Sequence, residues 1–360
     1  MKIVHTESSL GWGGQEIRIL SESEGLMARG HSVTLLCPPQ ARIYAEAQRR
    51  GVPAVALPIG RKRFAGLRAL IEWLRVNRCD VVNTHSSTDA WLAALALLVL
   101  GRPVPMVRTR HISAPVPTNR LTNWLYERAT RRILTTGESI RQQLIDRNGY
   151  TPGRIESIPT GIDATRFCPG DRSMARRALG LPQERTLVGI VATLRSWKGH
   201  RYLIDAVAGL PEAIALVIVG DGPQREALAK QSQGLKGRLW MPGNQDDVLP
   251  WLHALDVFAL PSYANEGVPQ ALAQAMMTGL ACVTTTAGSI GELAEHEKTA
   301  LVVPAEDVPA LRAAIARLAG DAALRSRLGE AARQHVKDRY SYQTMLDRME
   351  EVYRNVAGRA

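Results

Sequence analysis

Short apolar runs alternate with amphipathic helical stretches along this chain, and the alternation starts twice. Strand patterning falls at residues 2–5, 33–37, 54–57, 81–84, 105–109 and 132–135, with helical patterning at 15–29, 42–50, 67–77, 89–100, 119–130 and 139–147. A Pro/Gly-rich passage from Ile158 to Gly170 interrupts the rhythm. Strand-like runs then resume at 187–191, 216–219, 239–241, 257–260, 281–284 and 300–303, and the tail from Asp307 is helical, with a last helix over 341–355. Strands that are apolar throughout and separated by helices belong to parallel sheets covered on both faces. A length of 360 residues suits two such domains. The expected fold is therefore α/β, two doubly wound halves joined by a linker, with ligands held in a cleft between two sheet edges.

Charge narrows the partners. The net charge is +11, and nearly all of the excess lies in residues 1–163, in Arg42, Arg49, Arg50 and the run Arg61-Lys62-Arg63 among others. Arginine dominates, and its planar fork suits phosphate. An anionic membrane surface or a phosphorylated acceptor fits this placement. Nucleic acid fits less well, since no helix-turn-helix, RNP-like or zinc-finger pattern accompanies the charge. The four cysteines (Cys37, Cys79, Cys168, Cys282) are scattered, without metal-ligand spacing, and read as buried thiols of a reducing compartment. The N-terminus enters a strand with no leader-like pattern, and the longest apolar run, 90–100, is far short of the ~20 residues of a membrane span. The expectation is a soluble cytoplasmic protein, peripheral to the inner face of a membrane if the basic half docks there.

One segment carries the most chemistry. From Ser262 to Gly279, a Gly-containing turn presents Glu266, Pro269 stands at the expected first helical position, Gln270 and Gln274 share a face, and Gly279 stands where the helix should stop. The turn follows the apolar strand 257–260. A carboxylate beside a helix N-terminus, with a hydrogen-bonding side chain one turn in, can hold a polyhydroxylated anion. The alternative is a buried helix with an incidental acidic turn.

Four further segments follow strands. In Gly11-Trp-Gly13-Gly14 the glycines permit close approach of backbone to a phosphate or sugar, or simply a tight strand–helix turn. The segment is not G-x-G-x-x-G, and no acidic residue ends the second strand, so a nicotinamide dinucleotide is disfavoured. Arg195 and Lys198, three apart in the loop after residues 187–191, can converge on one diphosphate or form an exposed basic loop. Gly220 and Gly243 end two other strands and can offer backbone to a nucleobase. His111, at the end of Arg108-Thr-Arg-His111, can bond a sugar hydroxyl or sit as a satisfied loop histidine.

Taken together, the Gly-Gly loop, the Ile158–Asp163 "I-P-x-G-I-D" linker, the Arg195/Lys198 loop and the Glu266–Pro269 "E-G-V-P" turn resemble the retaining GT-B glycosyltransferases of glycosyltransferase family 4, over nearly the whole chain. The resemblance implies two Rossmann-like domains facing a central cleft: an acceptor-binding domain over 1–163, a donor-binding domain over 164–338, and a terminal helix over 339–360 crossing back to the first. It places Arg195 and Lys198 on the donor diphosphate, and His111 and Glu266 on the donor sugar. Gly13, Gly14, Gly220, Gly243, Gly267, Val268 and Pro269 become donor-binding, and Gln274 takes the ribose hydroxyls. Arg61, Lys62 and Arg63 become the membrane or acceptor patch. Two positions depart from the pattern: Gln274 stands where the family carries a second glutamate, and Thr193 where many members carry arginine. A neutral amide still bonds a diol but forgoes the charge-assisted bond. The implied activity is metal-independent transfer with retention, from a nucleotide-sugar (UDP-sugar first, GDP- or ADP-sugar as alternatives) and with no cofactor, onto a lipopolysaccharide-type or lipid-linked acceptor. A soluble acceptor, or a silent nucleotide-sugar-binding protein, is the competing reading.

Overall fold

The computed structural model describes residues 1–101, 104–264 and 266–358, so Asn265 of the Glu266 turn lies outside the described residues. The chain divides into two compact units, Met1–Thr160 with Gln343–Ala360, and Gly161–Tyr342.

The first unit is built on seven strands: β1 (Lys2–Thr6), β2 (Ser32–Cys37), β3 (Ala54–Ala56), β4 (Val81–Thr84), β5 (Met106–Arg110), β6 (Arg132–Thr135) and β7 (Ile155–Ser157). Their spatial order is β3-β2-β1-β4-β5-β6-β7, with every neighbouring pair parallel. The second unit has six, β8 (Thr186–Val191), β9 (Ile214–Val219), β10 (Leu239–Gly243), β11 (Val257–Leu260), β12 (Ala281–Thr284) and β13 (Leu301–Val302), in the order β10-β9-β8-β11-β12-β13, again parallel. All residues of β9, β11 and β12 are buried, which is why those runs are apolar throughout rather than alternating.

Each sheet reverses its winding once, between β1 and β4 in the first unit and between β8 and β11 in the second. Connecting helices leave opposite faces of the sheet on either side of such a reversal. The loops after the two central strands therefore splay apart, leaving a crevice at the strands' carboxyl ends.

Several boundaries differ from the sequence reading. Pro269 is the residue before the helix Gln270–Met277, not its first member: its φ of −72° suits a helix, but its ψ of 117° is extended. Gly279 ends that helix with φ +81° as expected. The stretch read as one helix over 119–130 is a short helix, Arg120–Trp124, running into a π-helical turn, Leu125–Ala129, and the helix expected from Leu67 begins at Phe64. β7 and the helix Arg172–Leu179 went unread, because both sit in or beside the Pro/Gly-rich passage. Of the four free thiols, Cys37 and Cys282 are buried and Cys79 and Cys168 only half so.

The units divide at Gly161 and Gln343 rather than after Asp163 and Asp338, because Ile162 accepts from Tyr342 N (3.1 Å) and donates to Tyr340 O (2.8 Å), which ties both stretches to the second unit. The helix Tyr342–Val356 continues into the first unit. There Arg29 pairs with Asp347 (2.7 Å) and Glu350 (3.1 Å), and Arg348 pairs with Glu156 (3.1 Å). No helix among the described residues is long and apolar enough to cross a membrane.

Candidate functional site

In the second unit, two loops flank the reversal. After β8 the chain makes a one-turn 3-10 helix, Ser196–Lys198, and reaches Gly199 with φ +76° before the helix His200–Ala208. A Cβ on Gly199 would lie 2.0 Å from the carbonyl oxygen of Pro261, the residue after β11. The glycine is what lets the two loops lie against each other, and Tyr263 N bonds Trp197 O at 2.9 Å beside it. Across this seam Lys198 Nζ contacts both oxygens of Glu266, at 2.7 and 2.9 Å. Glu266 is 5% exposed at its side chain and Lys198 21%, so the pair is half withdrawn from water with the ammonium on the open side. Glu266 is held from behind by Gly288, whose φ is +57° and whose Cβ would stand 2.1 Å from Glu266 O, while Ser289 N donates to that same oxygen at 3.3 Å.

Arg195 does not join the Lys198–Glu266 pair. It is exposed and lies over the Trp197 ring of its own loop, 5.7 Å from the centroid. Gly267, Val268 and Pro269 are buried, as is Gln274 on the first turns of the helix they lead into. Gly220 (φ +138°) packs its α-carbon against Ala192, where a Cβ would fall 2.1 Å from the carbonyl oxygen, and its N–H donates to Gly243 O at 2.8 Å. Gly220 thus closes the end of β9 against the residue after β8 and ties it to the end of β10, a packing role that stands whatever it binds. His200, at the start of its helix, has both ring nitrogens buried and unbonded; burial and the Lys198 charge bring its pKa down to about 4.

In the first unit, the carboxyl ends of β1, β4 and β5 gather three histidines. His5 Nδ1 is 2.8 Å from His85 Nε2, and His85 Nδ1 is 3.0 Å from His111 Nε2. His5 and His85 are buried while His111 is half-buried, and burial lowers the pKa of each ring. Behind His5 lie Glu22, Arg18 and Tyr353, all fully buried. Alongside, Glu7 accepts from Ser9 N (2.7 Å), Ser86 Oγ (2.5 Å) and Gln15 Nε2, and Asp89 accepts from Thr6 Oγ1 (2.7 Å) and His85 N (3.0 Å). Burial, then the charges of Asp89 and Glu16, push Glu7 up to about 8, and burial brings Asp89 to about 6. Gly13 is the extended residue before the helix Gly14–Ala28, whose first turn brings Gln15 to Glu7. Lys62 and the exposed Arg61 and Arg63 precede the helix Phe64–Val76; Lys62 Nζ lies 5.6 Å over Trp91 and 3.5 Å from Ser87 Oγ.

Sequence reasoning named His111, Lys198 and Glu266; it did not name His5, His85, Glu7, Asp89 or Gly288, which the structure brings beside them. A signal existed for the histidines: β1, β4 and β5 are spatial neighbours, and each has a histidine within one residue of its carboxyl end. It becomes readable only once the strand order is known. Among the described residues, no group of three or more His, Cys, Asp or Glu is placed to hold a metal ion.

Comparison with known proteins agrees with this architecture. Residues 12–166 match the model "Glycosyltransferase Family 4" and residues 185–321 the model "Glycosyl transferases group 1". A relative from Escherichia coli, UDP-Gal:alpha-D-GlcNAc-diphosphoundecaprenol alpha-1,3-galactosyltransferase, is 26% identical, over 98% of this chain and 96% of its own. Two crystal structures superpose with a TM-score of 0.88: a glycosyltransferase from Rickettsia africae (18% identity, 100% of this chain and 99% of that one) and Anabaena Alr3699/HepE in complex with UDP-glucose (22%, 98% and 99%). With both units matched and the GT-B fold shared, the chain belongs to glycosyltransferase family 4.

Proposed function

We propose that this glycosyltransferase moves a sugar from a UDP-sugar to a lipid-linked cell-envelope acceptor, with retention of anomeric configuration and without a metal. The observation that carries the reading is the Lys198–Glu266 pair at the winding reversal of the second unit, 2.7 Å apart and open on the ammonium side. An ammonium so placed can trade the carboxylate for a nucleotide diphosphate and stabilise it as it leaves, while the freed carboxylate accepts sugar hydroxyls. Arg195, exposed and unburdened by an acidic partner among the described residues, can swing from Trp197 to the same diphosphate. In the first unit His111 takes a sugar hydroxyl. The galactosyltransferase relative acts on a diphosphoundecaprenol-linked sugar and matches this chain end to end, which supports UDP and a lipid-diphosphate acceptor. The exposed Arg61-Lys62-Arg63 run, beside the 79%-exposed Phe64, supports peripheral docking on an anionic cytoplasmic membrane face.

The test is transfer from a panel of UDP-, GDP- and ADP-sugars to short-chain polyprenyl-diphosphate sugars, with and without EDTA, and NMR of the product anomer. We expect a UDP-sugar to be used, EDTA to have no effect, and the anomeric configuration to be kept. Transfer only to soluble acceptors, an obligate divalent metal or an inverted product would overturn the corresponding part of the reading.

A further inference from the structure

The three histidines of the first unit form a chain with a direction. His5 Nδ1 meets His85 Nε2 and His85 Nδ1 meets His111 Nε2, at 2.8 and 3.0 Å, with rings nearly stacked or tilted at centroid separations of 5.1 and 5.3 Å. A neutral imidazole carries one proton, so each ring donates at one nitrogen and accepts at the other. In such a chain the choice at one end sets the choice at every member. Only two arrangements exist, and they differ in what His111 Nδ1 offers: a lone pair or an N–H.

The inner end makes the choice. His5 Nε2 faces Glu22 Oε1 at 3.8 Å, too long for a hydrogen bond but close enough to sense the carboxylate's charge. Around that carboxylate, Tyr353 donates its hydroxyl to Oε1 at 2.7 Å and the Arg18 guanidinium stands with Nε 3.6 Å from Oε2. The Tyr353 proton is itself committed, because Asn83 Nδ2 donates to the same hydroxyl (2.7 Å) while Asn83 Oδ1 accepts from Thr109 (3.0 Å). All of these side chains are fully buried, so water cannot reverse the order. A bare lone pair on His5 Nε2 would oppose the carboxylate's lone pairs, whereas an N–H there is attracted.

We infer that Glu22 sets the proton order of the whole chain: His5 carries its proton on Nε2, His85 donates from Nε2 to His5, His111 donates from Nε2 to His85, and His111 Nδ1 is left as a hydrogen-bond acceptor. Of the three residues only His111 is not buried, and its side-chain bond to the protein among the described residues is the one its Nε2 makes with His85, leaving Nδ1 for a ligand. The group it takes must therefore bring a proton, as a sugar hydroxyl does, and cannot be a phosphate or carboxylate oxygen. His5, His85 and Glu22 are then positioning residues, acting through His111. The assignment to a sugar rests on the functional reading above; the proton order does not.

Nitrogen-15 NMR of histidine side chains in the full-length protein without ligand tests the order directly. His111 is expected with a protonated Nε2 and an Nδ1 resonance in the downfield range of an unprotonated imidazole nitrogen. Glu22→Gln should move it toward the other tautomer or a mixture. Tyr353→Phe, which also removes a buried polar group but leaves the carboxylate, should retain the wild-type tautomer. An Nδ1–H at His111 in the wild-type spectrum overturns the inference whether or not any variant folds, and so does a Glu22→Gln protein that keeps the wild-type tautomer. Adding UDP-glucose separates the two readings: with the order intact, an unmoved His111 Nδ1 resonance counts against the sugar-binding role and leaves the relay standing.

Discussion

Gln274 stands apart from the other residues singled out in the sequence because it departs from the pattern that the family resemblance supplies. It is 8% exposed, one turn into the helix Gln270–Met277. A carboxylate at that position would accept both hydroxyls of a diol through charge-assisted bonds; the amide accepts one and donates to the other. The difference between a neutral and a charged hydrogen bond is about 1 kcal/mol, roughly five-fold in binding. We therefore expect Gln274→Glu to tighten UDP by about five-fold in calorimetry, and an unchanged Kd would remove Gln274 from the nucleotide site. Glu266 and Lys198 were visible as residue types at a strand end, but their pairing was not, since 68 residues separate them in the chain. The histidine chain was invisible for the same reason, its members lying 80 and 26 residues apart.

At the scale of elements, glycines decide how closely the site loops approach. Gly199 and Gly180 have similar backbone angles, φ +76° and +65°, but a Cβ on Gly180 meets nothing within 4 Å, whereas one on Gly199 meets the Pro261 carbonyl at 2.0 Å. Gly180→Ala should cost only the left-handed penalty, about 1–2 kcal/mol. Gly199→Ala must also push the β8 and β11 loops apart, so we expect a larger drop in urea midpoint and loss of transfer activity in the protein that remains folded. Equal losses for the two variants would show that the seam is not tight. The helix boundaries that sequence patterning displaced, at Pro269 and within 119–130, share a cause. Propensity sees the φ of proline or the apolar spacing, while the ψ of Pro269 and the π-helical turn at Leu125–Ala129 are set by packing.

For the molecule as a whole, the buried carboxyls of the first unit set a pH dependence. Glu7 at about 8 and Asp89 at about 6 hold protons that the unfolded chain releases near 4.5 and 3.8. For these two groups the folded state binds more protons than the unfolded one, a contribution that lowers stability as pH rises from about 4 to 8 by up to ~1.4 kcal/mol per pH unit for each such proton. His5, His85, His111 and His200, whose pKa burial lowers, act in the opposite sense below about 6.5. A thermal melt series should show Tm declining from about pH 7 to 8, above the range in which the histidines titrate in the unfolded chain, and Glu7→Gln should flatten the decline and raise Tm at pH 8. A Tm independent of pH over that range would mean the pair ionises without cost.

The alternation of apolar strands and amphipathic helices, its restart after Ile158–Gly170 and the placement of Gly-rich and charged turns after strands are all local properties, and local sequence determined them: two parallel α/β halves, a linker and a list of loop residues facing the strands' carboxyl ends. Strand order is not local. Only the tertiary structure decided that β1 lies beside β4 and β8 beside β11, and that choice brings His5 to His85 and Lys198 to Glu266. Burial then did the rest, because removing water from those pairs is what turns a histidine near a glutamate into a chain of fixed protons.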